Sequence, residues 1–452
     1  MAIVPFSPIG FIVLAIFLIS LLLIILEVQL EMDKFKPALL MMSSVAVLGV
    51  YYLFFNDDPE GFQALKRMQA ETKEGLFALI AFMAFMWMIV EILNERNVFG
   101  ALAEFLMERG LGPKGMFWAM GGLCALLSPV ISSLTTAMVF GRSIRNISIN
   151  QKYTHVVLCN IIIASNSGVW FVGTSTSLMV ILAGRLDLAN LLMLIPSAMV
   201  GWILSASVLH VMYLNPLGAD GLIKTKQDRE AARLAYVRRR AEDASQPAHA
   251  RGKIKPGGMA LAVVSILAIV NALLFNLRLH VDIEFALGAG LGFIVTYIWY
   301  LRIKGINIDL NVQLQKVEWS TLMYYIGIIT GMATLNHVGW LEYIARMFDA
   351  FSPTVANVLI GLASSAVDNN LVEAAALMSN PVMGHDQWAL NAMMVGIGGS
   401  LTVVGSAAGV MAMSIDKTYT FGVHLRFLPA ALVNFFGSLG VWYLQFEIFR
   451  LF

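Results

Sequence analysis

Charge is scarce in this sequence. Acidic and basic residues make up 13% of the 452 positions, too few to cover a soluble protein of this length with polar surface. The 30 Lys and Arg nearly cancel the 29 Asp and Glu, and a net charge of +1 provides no field for a nucleic acid or another charged macromolecule. Cysteine is nearly absent too. Cys124 and Cys159 both lie in apolar stretches without metal-ligand spacing, which predicts packing thiols rather than a disulfide or a metal site. No motif points to an enzyme or to a resident cofactor. No basic residue precedes the first apolar run, so a retained span is expected there rather than a cleaved leader.

Apolar length is what the sequence has in abundance. Hydrophobic residues reach 58%, and mean hydropathy is +0.75. A spanning helix needs about 20 apolar residues to cross about 30 Å of hydrocarbon. Runs of that kind occupy 9–30, 37–55, 75–94, 154–182, 188–214, 258–277, 283–303, 319–339, 387–413 and 425–447. Two further runs, 114–142 and 353–380, are broken by Ser128-Pro129-Val130-Ile131-Ser132-Ser133 and by Ser364-Ser365-Ala366-Val367-Asp368-Asn369-Asn370. Irregular backbone at membrane depth survives only where protein or a wet cavity receives its polar groups. Both runs are therefore expected to be re-entrant hairpins.

The predicted fold is an all-α polytopic membrane protein of about ten transmembrane helices plus two hairpins. Residues 1–214 form a first repeat, 215–256 a basic linker with a charged helix expected over 224–243, and 257–452 a second repeat. An odd number of spans per repeat inverts the second copy. Placing 215–256 in the cytoplasm leaves only Lys66, Arg67, Lys73, Arg185, Arg278, Arg346 and Arg450 of the 30 basic residues on the outer side, as the positive-inside rule requires. Matching interruptions recur in each half: Asn166-Ser167-Gly168 with Gly173-Thr174, and Gly398-Gly399-Ser400 with Gly405-Ser406. Paired polar breaks of this sort point to a midplane binding site, while glycines alone also serve tight helix crossing.

Asp368-Asn369 followed by Gly398-Gly399-Ser400-Leu401-Thr402-Val403-Val404-Gly405-Ser406-Ala407-Ala408-Gly409 closely resembles the second-repeat signature of the NhaD-type sodium/proton antiporters. These belong to the ion transporter superfamily, which also holds arsenite, citrate and dicarboxylate carriers. Leu134-Thr135-Thr136, Asn160, Asn166 and Leu178-Met179-Val180 extend the resemblance into the first repeat. It implies a secondary transporter in a bacterial inner membrane, paired as a homodimer. Two acids of the family pattern are replaced, by Ser132-Ser133 and by Thr174. Weak or electroneutral cation exchange, or a neutral or anionic substrate, is the expected consequence.

Ionisable groups at membrane depth are costly and mark function by default. Asp368 stands at a hairpin break, where Asn369 and Asn370 can help complete an oxygen shell for a transported sodium ion. It also suits the N-cap of the arm that follows, a role needing no ion. Glu373 and Glu91 are further candidate proton carriers. Thr135, Thr136, Asn166, Thr174, Ser400 and Ser406 are candidate neutral ligands, though any one of them serves equally as a helix–helix hydrogen bond. Three functions stay open: a cation/proton antiporter, a carrier of a small anion or polar solute, and a scaffold or sensor that has lost transport.

Overall fold

Capping residues divide the apolar runs into helices, and every regular element among the described residues is helical. The computed structural model of the chain describes residues 5–27, 30, 32–55, 58–108, 111–147, 150–217 and 254–450. The charged helix expected over 224–243 lies outside them. Helix α1 (Pro8–Ile25) starts at a Ser7 cap with proline in its first turn. It is followed by α2 (Phe35–Val50), which runs on into a π-turn at Tyr51–Phe55.

Helix α3 (Pro59–Glu95) holds the apolar run 75–94 in its second part and extends well ahead of it. Asp58 caps it, Pro59 opens it, and beyond Gly61 in the first turn the polar stretch rich in Ala, Glu, Lys, Gln and Met contains no breaker.

Helix α4 (Val98–Glu108) leads to the arms of the first hairpin, α5 (Pro113–Ile131) and α6 (Ser133–Ile147). They meet at Ser132, whose φ of 76° and ψ of 151° fall in a region that glycine normally occupies. Holding serine there costs on the order of 1–3 kcal/mol. The run 154–182 is parted at the interruption Asn166-Ser167-Gly168 with Gly173-Thr174 into α7 (Gln151–Asn166) and α8 (Ser175–Leu182). Short α9 (Leu188–Leu192) and α10 (Ile195–Leu209) complete the first half.

The second half opens with α11 (Gly258–Leu279), α12 (Ile283–Ile303), short α13 (Leu310–Gln315) and α14 (Trp319–His337). After α15 (Glu342–Ala350) comes the second hairpin, with arms α16 (Pro353–Ala363) and α17 (Asn369–Ser379). The second broken span consists of α18 (His385–Gly398) and α19 (Ala407–Ile415). Short α20 (Phe421–Leu425) and α21 (Leu428–Tyr443) end the series.

Among the described residues, seven stretches are long and apolar enough to cross a membrane: Pro8–Ile25, Phe35–Phe55, Pro59–Glu95, Pro113–Ile131, Leu188–Leu217, Gly258–Asn276 and Ile283–Ile303. The chain is an all-α polytopic membrane protein. Breaks shorten the pieces of 154–182 and 387–413, and Ser, Thr, Asn and His dilute Trp319–His337. The arm α5 reaches crossing length because the break at Ser132 comes so late in its apolar run.

Two large hydrophobic cores organise most of the described helices, beside a small cluster of Phe348, Ala356, Ile360, Ala376 and Val395 around the second hairpin. One gathers the buried faces of α1, α2, α3, α11, α12 and α14. The other gathers those of α5, α6, α7, α10, α18, α19 and α21. Cys124 and Cys159 are buried free thiols in the second core. Residues of α17 and α8 (Leu371, Ala374, Leu178 and Met179) pack into the first core, so these short pieces lie at the seam.

Candidate functional site

The site is built from interrupted helices, each held at its break by contacts that only small or polar residues permit. In the first half, Gly173 N–H donates to the Pro129 carbonyl at 2.5 Å. A Cβ on Gly173 would stand 2.0 Å from that oxygen, and one on Gly168 would stand 2.1 Å from Ser128 Oγ. In the second half, a Cβ on Gly398 would stand 1.9 Å from the Gly361 carbonyl oxygen, and Ser364 Oγ donates to the Val395 carbonyl at 2.8 Å. Thr402 donates to the Ser365 carbonyl. Each hairpin thus lies with its break against the broken span that follows it in sequence.

The two halves also touch at their polar breaks. Asn166, the last residue of α7, donates to Ser406 Oγ at 2.9 Å, and Ser406 caps α19 by accepting from Gly409 N–H at 3.3 Å. Ser175, the first residue of α8, donates to the Asn370 amide oxygen in α17. Three of the candidates (Asn166, Ser406 and Asn370) are therefore joined across the repeats. Thr174 is the N-cap residue of α8, next to Ser175, and its hydroxyl bonds to Ser177 Oγ at 3.0 Å.

The other neutral candidates bond locally. Ser132 Oγ and Thr135 Oγ1 are 3.2 Å apart, and Thr136 Oγ1 donates to the Ser132 carbonyl at 2.5 Å. Ser400 Oγ donates to the Ile397 carbonyl at 2.7 Å. Among the described residues these hydroxyls make helix-end bonds and none across the two halves. Asn369 opens α17 beside the cap.

Asp368 is where charge enters the site. One carboxylate oxygen accepts from Asn370 N–H at 3.0 Å, which makes Asp368 the cap of α17. The other accepts from Lys34 Nζ at 2.8 Å. Side-chain exposure is 9% for Asp368 and 23% for Lys34, so the pair is largely shielded from solvent, unlike an ordinary surface bridge. The ammonium also lies 4.5 Å from the centre of the Tyr324 ring, a cation–π distance. Lys34 is the residue that reading the sequence missed. It counted there only as one of many basic residues setting topology, and its partner lies 334 positions away.

Four further acids bear on this region: Glu373, Glu91, Glu318 and Glu27. Glu373 is fully buried within α17, with neither carboxyl oxygen hydrogen-bonded among the described residues. Glu91, in the last part of α3, is within electrostatic reach of Lys316 and of Glu318. Glu318 precedes α14, and burial holds its carboxyl above the usual carboxylate range, against the opposing influence of its bond from Thr321 and the charge of Lys34. Glu27, past the end of α1, is also close enough to act on Lys34. Chemically, the arrangement offers one paired carboxylate, amide and hydroxyl oxygens from both halves, and an acidic surround for the pairing ammonium.

The chain is similar in sequence, over most of its length, to proteins named as sodium/proton antiporters. The Na(+)/H(+) antiporter NhaD of Alkalimonas amylolytica is 27% identical over an alignment that takes in 96% of this chain and 90% of that protein. The protein of the same name from Halomonas elongata is 26% identical over 96% of this chain and 88% of its own length. Sodium/proton antiporter 1 of Arabidopsis thaliana is 26% identical over 85% of this chain and 64% of that protein. A family model described as a citrate transporter matches residues 1–398, and with most of its length so matched the chain belongs to that family of membrane transporters.

Proposed function

We propose that the chain is a sodium/proton antiporter in which Asp368 holds a sodium ion or a proton in turn. The observation carrying this reading is the position of Asp368: a shielded carboxylate at a helix break, one oxygen fixed by the α17 backbone and the other already engaged by a cation. A small hard cation needs the carboxylate, amide and hydroxyl oxygens that Asp368, Asn370, Ser175 and Thr402 bring near the breaks. A carboxylate that accepts either a cation or a proton, and never both, is the least machinery an exchanger requires. The names of the NhaD relatives support sodium and proton as the exchanged pair. Glu373 and Glu91 are second-rank proton carriers in this reading. The bacterial relatives support placement in an inner membrane, and the resemblance supports a homodimer, which native mass spectrometry of detergent-solubilised protein would test.

The test is sodium-driven proton movement in liposomes containing the purified protein, beside an Asp368→Asn variant that keeps the size and the cap. Exchange by the parent with at least a roughly hundredfold loss in the variant is expected, the scale for losing a charged group's essential contact. Parental rates in Asp368→Asn would refute the assignment. A second reading, an anion carrier, draws on the citrate description of the family and on the helix starts and lysine at the breaks. Labelled citrate uptake by the same liposomes, with no sodium-driven proton flux, would favour it.

A further inference from the structure

Lys34 lies on the first core, whereas Asp368 lies in a hairpin at the seam, its arm α17 packed into the first core and its break clamped to the broken span of the second. Lys34 immediately precedes α2, whose buried Ala38, Met41 and Leu48 lie in the first core. Helix α2 is fixed against α14 at close range, since a Cβ on Gly327 would stand 2.3 Å from the Ala38 backbone. Asp368 ends the break of the second hairpin, and that break is clamped to the second core's broken span through Ser364 to Val395 and Thr402 to Ser365. The ion pair therefore bridges the seam between the two cores. Alternating access in transporters of this general kind is largely the movement of one bundle against another around the site.

We propose that Lys34 is the site's own cation, which an arriving ion must displace, and that until it is displaced the pair latches the unloaded carrier in place. Sodium and the ammonium compete for the same Asp368 oxygen, because a carboxylate oxygen held by Lys34 is not free to face an ion. A proton arriving from water forms an O–H bond on Asp368 and likewise cancels the charge that Lys34 holds. In both cases the ammonium stays intact and turns toward the other acids around it, Glu27 and Glu318, with Tyr324 beneath it. Only the empty, ionised carrier stays pinned across the seam. A carrier free to rearrange when loaded with either ion, and held when empty, is an obligatory exchanger. This inference rests on Asp368 being the exchange carboxylate and adds the device that forbids its empty return.

The experiment compares parent, Lys34→Arg and Lys34→Gln proteins in liposomes at alkaline pH, where protons compete least. Removing the competitor should lower the half-saturating sodium concentration about tenfold in Lys34→Gln and raise the pH midpoint by about one unit, with Lys34→Arg close to the parent. Sodium should also leave Lys34→Gln liposomes without matching proton uptake. Parental affinity, midpoint and coupling in Lys34→Gln would overturn the proposal. Should that variant fail to fold, reductive methylation of the parent read by mass spectrometry takes its place. Sodium should raise Lys34 labelling severalfold over choline at equal ionic strength, and labelling independent of sodium would overturn the proposal. The two readings fail separately: an active Asp368→Asn protein sinks the site assignment, whereas an inert Asp368→Asn beside a parental Lys34→Gln sinks only the role of Lys34.

Discussion

Ser406 illustrates how much a single hydroxyl carries at the residue scale. It caps α19 and receives the amide of Asn166 from the other half of the chain. Replacing it with alanine removes the cap and, among the described residues, leaves the Asn166 side chain only its bond to the Ile162 carbonyl. Loss of a cap and of a buried partner together should cost about 1–3 kcal/mol. A thermal-unfolding midpoint several degrees lower in detergent is the expected outcome for Ser406→Ala, and Ser406→Thr should recover much of it. An unchanged midpoint for the alanine variant would show that the bond contributes nothing. The sequence made Ser406 legible because it stands in a glycine-rich break matched by another such break. Lys34 was illegible for the opposite reason. Lysines beside spans are common for topological reasons, and only packing of α2 against α14 brings this one to Asp368.

At the scale of elements, the broken spans and hairpins form two close-fitting pairs, and glycine makes each fit possible. Gly173 lies against Pro129, and Gly398 against Gly361. In both cases the atom that an added Cβ would strike is backbone, which cannot rotate away. Gly173→Ala and Gly398→Ala should each separate a hairpin from its span and lower stability by about 2–4 kcal/mol, in the range of overpacked or strained core substitutions. Gly292→Ala, on α12 with open space at its Cβ, is the control and should be neutral or slightly stabilising. The measurement is the amount of monodisperse protein recovered after a graded heat step, and equal recovery of all three would contradict the fit. Such breaks could be read from the sequence because a polar or glycine cluster inside an apolar run has few explanations. The length of α3 could not, since hydropathy marks where a helix enters lipid and says nothing of how far it continues beyond.

At the scale of the whole molecule, orientation is set by the distribution of basic residues, and with it the side from which each hairpin enters. Impermeant maleimide on intact cells should label a cysteine at Glu60 readily and one at Ser245 only after the membrane is opened. The reverse pattern would turn the protein over. Under the proposed latch, the bond between Lys34 and Asp368 has a bearing on the cell that houses the protein. A membrane stocked with carriers is a conductor unless each copy is silent when it has nothing to carry. A copy whose empty seat is filled by its own tethered ammonium passes no current, so abundance of the protein sets how fast the cell can respond to salt without setting how fast its ion gradients run down at rest.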